Sequence, residues 1–503
     1  MYKRQDPALE TNKCPYHEQK GKQEDPHFHR PLNFERKKIY DNVLEVIGNT
    51  PVIRLNRIPQ SEDIKCQMFV KAEFLNPGGS LKDRIGERMV VEAERKGDLK
   101  EGDVLIEATS GNTGIGLSMA AAVKGYGMHI TMPEKMSNEK VNVLRALGAQ
   151  IYKTPTEAAF DDEDSHINKA LNLQKELPNS KILDQYRHLG NPLSHYDGTG
   201  AELVHQFDGQ LDYIFVGTGT GGTITGIGRK IKELMPKCKV IGVDPHGSIL
   251  AMPQTLNTVE GGVLMEGIGY DFVPEVIDRK VVDDWHKIDD QTALPMSRRL
   301  IREEGLLVGG TSGATVGGAI QYLKAKGLDQ NPDLKVCCLC ADNIRNYITK
   351  LACPYYMYEH GLMKASELVE KNHPLNGKSL DELNLKQVQN LTEQSTIQDC
   401  LNLFKKGFTG LPVYVRGEKF PSRGVLQSKM MECIVNKNLK TTDLVTKCWT
   451  QDFSSLHYED MDQALLQRFL ERRPVCLIVK LVDDEPVTYH AQPMDILTKV
   501  TQN

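Results

Sequence analysis

No run of about 20 uninterrupted apolar residues occurs in this chain, which argues against a membrane-spanning helix. The N-terminus, MYKRQDPALETNKC, lacks the apolar stretch of a secretory signal. Basic patches are missing as well: 62 Lys and Arg stand against 67 Asp and Glu, for a net charge of -5, so neither a membrane nor a nucleic acid is expected as partner. Eleven cysteines, an odd number without a secretory signal, read as reduced thiols of a soluble cytoplasmic protein and not as a disulfide framework. Cys337, Cys338 and Cys340 lie in KVCCLCADN, an expected strand where buried thiols are favoured over a metal site.

The length, 503 residues, suggests about three units. Residues 1–38 hold few aliphatic side chains and many charges, His and Pro, so they cannot build a core alone and form a tail or an appended binding segment. From 39 to 352 strand patterns alternate with helix patterns: VLIEA then IGLSMAAAV, MHITMP then NEKVNVLRAL, LDYIFV then TITGIGRKIKEL. That rhythm predicts an α/β class with mostly parallel sheets, whose ligands gather at the carboxyl ends of the strands. It stops at LACPYYMYEHGL, and a linker is expected over 353–378. Within 379–503, LTEQSTIQDCLNLFKKGFTGLPVYV and LHYEDMDQALLQRFLERRPVCLIVK share a polar opening, an amphipathic helix and a short apolar strand, which indicates an internal repeat.

Four turns carry the candidate chemistry. In EFLNPGGSLKDRI, Lys82 sits between a glycine-rich turn and a helix whose apolar residues Ile85, Met89 and Ala93 recur every fourth position. In FVGTGTGGTITGIG, Gly217, Gly219 and Gly222 make a formal GxGxxG with Asp244 closing the next strand, the fingerprint of a dinucleotide site. A dinucleotide explains neither Lys82 nor ATSGNTG, whereas a phosphate on a helix N-terminus is equally suited to pyridoxal phosphate. Gly219, Thr220, Gly221, Gly222 and Thr223 offer N–H groups and two hydroxyls for such a phosphate. In TSGNTG, the N–H groups with Ser110 and Thr113 could cradle a carboxylate, and Asn112 could bond a phenolate oxygen. LLVGGTSGATVGG places Thr311 and Ser312 in the last of these turns, where a hydroxyl can equally be a cap.

In this order the four turns resemble fold type II of the pyridoxal-phosphate enzymes, over about 310 residues. PGGSLKDR, SGNTGIGL, MPEKMSNEKVNVLRALGA, GTGGTITGIGRK, GVDPHGSIL and EGIGYDF are similar to the cystathionine β-synthases in particular. The resemblance implies a β-replacement in which homocysteine displaces the hydroxyl of serine, giving cystathionine and water, with hydrogen sulfide release from cysteine plus homocysteine as a further outcome. It implies Lys82 as the Schiff-base lysine and Asn112 on the ring oxygen of the cofactor. Residues 219 to 223 would hold the phosphate, and Thr311, or its neighbour Ser312, would face the pyridine nitrogen. Thr109, Ser110, Thr113 and Gln185 would take the substrate carboxylate, and Gly267 and Tyr270 would line the entrance of the second substrate. A homodimer or higher homo-oligomer is implied too.

Both ends of the chain gain meaning from the same likeness. Read alone, the Cys and His residues of NKCPYHEQKGKQEDPHFHR are solvated tail residues, and no c-type CxxCH is present. The animal enzymes bind haem b in this segment, and their axial ligands fall on Cys14 and His27, with Arg229 as the cation beside the thiolate. The CxxC of the vertebrate enzymes is absent here, since MPKC keeps only Cys238. The two C-terminal repeats resemble CBS motifs paired as a Bateman module. Nucleoside-binding copies end in a hydroxyl and a carboxylate, where this chain has Gln427 and Met430 in the first repeat and Gln492 and Asp495 in the second. Activation by S-adenosylmethionine is therefore expected to be weak or absent.

Overall fold

A computed structural model describes residues 27–496, apart from 32–33, 35–36, 38, 110, 135, 156–161, 260–262, 370–374, 438, 451–453, 471–474 and 494. The chain divides into two units, one ending at Cys353 and one beginning at Pro354. The strands of the first are β1 (Val52–Arg54), β2 (Gln67–Ala72), β3 (Val104–Ala108), β4 (Gly127–Pro133), β5 (Gln150–Thr154), β6 (Ser180–Ile182), β7 (Tyr213–Gly217), β8 (Lys239–Pro245), β9 (Asp284–Ile288) and β10 (Lys335–Cys340). They build a six-stranded sheet in the order β1-β2-β10-β7-β8-β9 and a four-stranded sheet in the order β5-β4-β3-β6. Every pairing is parallel except that of β1 with β2. Parallel strands require helical crossovers that cover both faces of a sheet, so their sequences run apolar without alternation. β10 illustrates this: Cys337, Cys338 and Cys340 are all fully buried although they point to opposite faces. Burial pushes the Cys340 thiol up to about 12, which keeps it protonated and inert.

Four helices position the candidate residues: α1 (Lys82–Lys96), α2 (Asn112–Lys124), α3 (Gly222–Leu234) and α4 (Gly310–Lys326). The first three follow β2, β3 and β7, so their N-termini lie at the carboxyl ends of those strands. In α1 the four-residue repeat is realised: Ile85, Met89 and Ala93 are buried. Gly97 ends the helix in the left-handed region at φ 76°, with Arg95 and Lys96 in the last turn where cations favour the dipole. α1 and α2 touch backbone to backbone. A Cβ on Gly86 would stand 2.4 Å from the carbonyl carbon of Gly116, and one on Gly116 would stand 2.4 Å from the carbonyl oxygen of Lys82.

Beneath this crossing lies a buried charge cluster. Lys71 and Arg84 both reach Glu202 at 2.6 Å, and Arg84 Nε reaches Glu73 at 2.7 Å. Thr50 Oγ1 donates to Glu73 at 2.6 Å. Two cations and two anions balance at a site whose side chains are at most 5% exposed. Ions taken out of water in this way depend on keeping every partner.

In the second unit the two repeats take the same form. Helix Ile397–Phe404 leads into strand Gly410–Tyr414, and helix Gln463–Leu470 leads into strand Cys476–Val482. Thr396 caps the former with Asp399 in a reciprocal capping box. The stretch expected as a linker includes helix Pro354–Glu359, whose Tyr355 meets Phe469 edge-on at 5.2 Å. Among the described residues no helix is long and apolar enough to cross a membrane.

Replacing Glu202 with Gln tests the charge cluster, because it leaves Lys71 and Arg84 sharing one carboxylate. The variant is expected to lose about 3–5 kcal/mol, read as a lower denaturant midpoint of the first unit.

Candidate active site

Lys82 opens α1 and is half-buried; desolvation lowers its amine from the ordinary lysine value to about 8, and the negative charge of Asp342 opposes that fall. Asp342 follows the end of β10. Its backbone pairs with Ser80, two residues before the lysine, and its Oδ2 accepts from Asn112 Nδ2 at 2.7 Å. Tyr347 donates its hydroxyl to the same oxygen, and Asn346 Nδ2 donates to Asn112 Oδ1 at 3.0 Å. Asp342 Oδ1 packs where a Cβ on Gly309 would stand, 2.1 Å away, at the head of the turn that carries Thr311. Burial raises the Asp342 carboxyl; Lys140, Tyr347 and Asn112 draw it back, and Glu266 adds to the rise. One carboxylate thus ties together the lysine turn, Asn112 and the threonine turn.

The glycine-rich loop 217–223 leads into α3. Gly221 has φ 85°, and a Cβ there would meet Ile277 at 2.4 Å, so glycine is required on two counts. A Cβ on Gly219 would stand 2.4 Å from the carbonyl oxygen of Gly267, which brings the expected rim against the loop. A Cβ on Gly222 would overlap Asn191 Oδ1 at 1.9 Å. Asn191 Nδ2 donates to Thr220 Oγ1 at 3.0 Å and to the Gln185 carbonyl at 2.8 Å. His195 Nε2 lies 3.1 Å from Thr223 Oγ1, and its Nδ1 lies 2.9 Å from Thr199 Oγ1. Burial, reinforced by the nearby charges of Arg84 and Lys82, holds this imidazole neutral, well below its ordinary value.

At the carboxyl end of β3, Thr113 Oγ1 donates to Gln185 Oε1 at 2.7 Å, and Thr109 Oγ1 accepts from the Gly111 N–H at 3.1 Å. Glu107 accepts the N–H groups of Asp184 and Gln185 at 3.1 and 3.0 Å; burial and the neighbouring Asp184 push its carboxyl up to about 8. Tyr270 packs against Tyr186 and Phe272, with ring centroids 5.6 and 5.1 Å away. The described residues among Lys82, Thr109, Asn112, Thr113, Gln185, 219–223, Gly267 and Thr311 are therefore joined through Asp342, Asn191 and His195. Sequence reasoning missed Asp342, Asn191, His195 and Glu107. A polar residue just past a parallel strand, as in CADN, is the signal that could have found Asp342.

These residues fit pyridoxal phosphate. Among the described residues the buried Oγ1 of Thr311 has no hydrogen-bond partner, the state of a hydroxyl that a ligand would satisfy. The buried hydroxyl of Ser312, beside the Cys340 thiol, has no hydrogen-bond partner either, so the two hydroxyls stand as alternatives. Ser110 and Cys14 lie outside the described residues. Arg229 stands apart from these turns on α3, its Nε and Nη2 donating to Asp278 at 3.1 and 2.8 Å. His29 Nδ1 meets Asp197 at 2.7 Å, and the rings of His27 and His29 lie edge to face at 6.3 Å. In the second unit Gln492 Nε2 donates to Thr409 Oγ1 at 3.3 Å, and Asp495 accepts the Gln492 N–H at 2.7 Å.

Residues 43–342 match the family model described as pyridoxal-phosphate dependent enzyme. A cystathionine beta-synthase of Dictyostelium discoideum is 46% identical over 474 residues, 92% of this chain and 93% of that protein. One of Mus musculus is 44% identical over 93% of this chain and 82% of its own length. Among solved structures, an O-acetylserine dependent cystathionine beta-synthase of Helicobacter pylori has TM-score 0.57 at 32% identity, covering 62% of this chain and 99% of that one. A hydrogen sulfide-producing enzyme of Fusobacterium nucleatum has TM-score 0.57 at 35% identity, covering 61% and 100%. With the Lys82 turn, the glycine-rich loop 217–223 and the Thr311 turn brought into one network, the chain belongs to the pyridoxal-phosphate dependent enzymes and, within them, to the cystathionine β-synthases.

Proposed function

We propose that this chain joins serine and homocysteine into cystathionine and water, with Lys82 as its catalytic base. The observation that carries the reading is the desolvated Lys82 amine, tied through Asp342 to Asn112 and through the first unit to an intact phosphate loop. Bound pyridoxal phosphate supplies an electron sink that acidifies the α-proton of an amino acid and lets its β-substituent leave. The N–H groups of 219–223 with Thr220 and Thr223 would hold its phosphate at the N-terminus of α3. Asn112 would donate to its ring oxygen, and Thr311 would meet its pyridine nitrogen with a neutral hydroxyl. Thr109, Ser110, Thr113 and Gln185 would hold the carboxylate of serine, while Gly267 and Tyr270 would line the approach of homocysteine.

Lys82 Nζ then manages the protons. It takes the α-proton of serine and passes it to the departing hydroxyl, which leaves as water. The same amine takes the thiol proton as sulfur joins the β-carbon, and returns it to the α-carbon. Only the neutral amine accepts a proton, and its lowered value of about 8 makes that form available near neutrality.

The appended segment is proposed to carry haem b on Cys14 and His27. Asp278 takes the Nε and Nη2 edge of Arg229, and a guanidinium has five donors, so that ion pair does not exhaust the cation a thiolate requires. The second unit is proposed as a Bateman module over 379–503 that serves assembly of a homo-oligomer. Its Asp495 is engaged by its own helix start and its Gln492 by Thr409, which supports weak or absent response to S-adenosylmethionine.

Serine with homocysteine, assayed beside O-acetylserine with sulfide, is expected to give the larger kcat/KM; the reverse order would make the chain a cysteine synthase. Lys82→Ala is expected to cut kcat about 10³-fold or more, with borohydride reduction no longer fixing a phosphopyridoxyl group at position 82 by mass spectrometry. Because protonation removes the base, kcat should fall about tenfold per pH unit below about pH 8 in a pH–rate profile. Cys14→Ser is expected to remove the haem absorption band while the pyridoxal phosphate content stays within twofold, read by iron and phosphate analysis.

A further inference from the structure

We infer that Asp342 is a positioning residue that fixes which end of the Asn112 amide is the donor, and thereby holds the cofactor's ring oxygen in one protonation state. The inference rests on the assignment of Asn112 to that oxygen under Proposed function. An amide side chain can present either oxygen or nitrogen at a given place, and the two ends differ little in size. Asp342 Oδ2 accepts from Asn112 Nδ2 at 2.7 Å and from the Tyr347 hydroxyl, so the end of Asn112 that faces the carboxyl is the nitrogen. Asn346 completes the arrangement from the other side by donating to Asn112 Oδ1 at 3.0 Å. The amide nitrogen carries two hydrogens, so its bond to Asp342 does not consume the donor that a ring oxygen requires.

Several features go beyond what packing alone would need. Asp342 is 1% exposed, and it is held on three sides: by the Tyr347 hydroxyl, by the Gly309 backbone N–H bonded to its carbonyl at 2.8 Å, and by the missing Cβ of Gly309. Lys140, paired with Glu266 at 2.7 Å and lying 4.5 Å from the Tyr347 ring centre, supplies the nearby positive charge. Leu81 N–H bonds the Ala341 carbonyl at 2.9 Å, so the backbone that carries Asp342 also seats the residue before Lys82. A carboxylate anchored in this way cannot turn to accept from Asn112 in any other orientation.

The test compares wild type with Asp342→Asn and Asn346→Asp, each as the full chain loaded with pyridoxal phosphate. Cofactor fluorescence reports the tautomer, which depends on the proton at the ring oxygen, and dialysis reports retention. Asp342→Asn is expected to shift the balance of the emission bands and to weaken retention about tenfold or more, the loss of one charge-assisted hydrogen bond. Asn346→Asp places an acceptor at the other end of the amide and is expected to move the emission in the same direction, a result that loss of packing would not give. Wild-type protein that holds no pyridoxal phosphate on Lys82 would defeat the functional reading itself. Wild type that holds it, with Asp342→Asn unchanged in emission and within twofold in retention, would defeat the inference alone. Should Asp342→Asn fail to fold, unchanged emission in a loaded Asn346→Asp variant would overturn it.

Discussion

In the proposed site one amine, that of Lys82, has to be desolvated without being locked as a cation. Desolvation drives it toward the neutral form, and the charge of Asp342 limits how far that goes. The backbone meets the same demand. Gly86 and Gly116 let α1 and α2 cross in direct contact at the carbonyl of Lys82, so the first turn of α1 cannot drift relative to the loop that carries Asn112. A methyl group at either glycine would separate the two helices at the point where their N-terminal residues must converge.

How much of this was legible in the sequence depends on whether the information is local. The four turns could be read because three of them sit between a strand run and a helix run, and glycine in all four answers to backbone demands that leave a sequence trace. Ile85, Met89 and Ala93 could be read because a buried stripe has helical period. Asn191 and His195 could not. They come from the irregular stretch around a six-residue π-helix, His195–Gly200, which has no periodicity to betray it. Their roles exist only through Thr220 and Thr223, some 30 residues away in sequence. The alternation of sheet strands was likewise blurred, because both faces are covered and every side chain of KVCCLC after Lys335 is buried.

The second unit shows the converse. Its repeat was visible because each copy builds a helix with one apolar face, as in Ile397, Cys400, Leu403 and Phe404, before an apolar strand. What the repeat binds is a matter of the side chains at its strand ends. There Gln492 and Asp495 spend their hydrogen bonds on Thr409 and on a local helix start. A fold-level likeness therefore carries the architecture of this unit further than it carries a ligand.

The two ends of the proposed cofactor site rest on one principle: a donor aimed at a ligand has to be held by an acceptor behind it. At the ring end Asp342 accepts from Asn112, which makes nitrogen the inner end of that amide. At the proposed phosphate end a hydroxyl that binds a dianion would donate to it, and Thr223 would then accept from His195. A neutral imidazole does this only with its proton on Nε2, and Nδ1 then accepts from Thr199. Burial and the charges of Arg84 and Lys82 keep His195 neutral and so preserve that relay. A protonated imidazole would donate at both nitrogens and turn Thr199 into a second acceptor, adding a buried charge beside Lys82 and raising the cost of protonating its amine. In the proposed site the neutral histidine would therefore serve both the phosphate loop and the base.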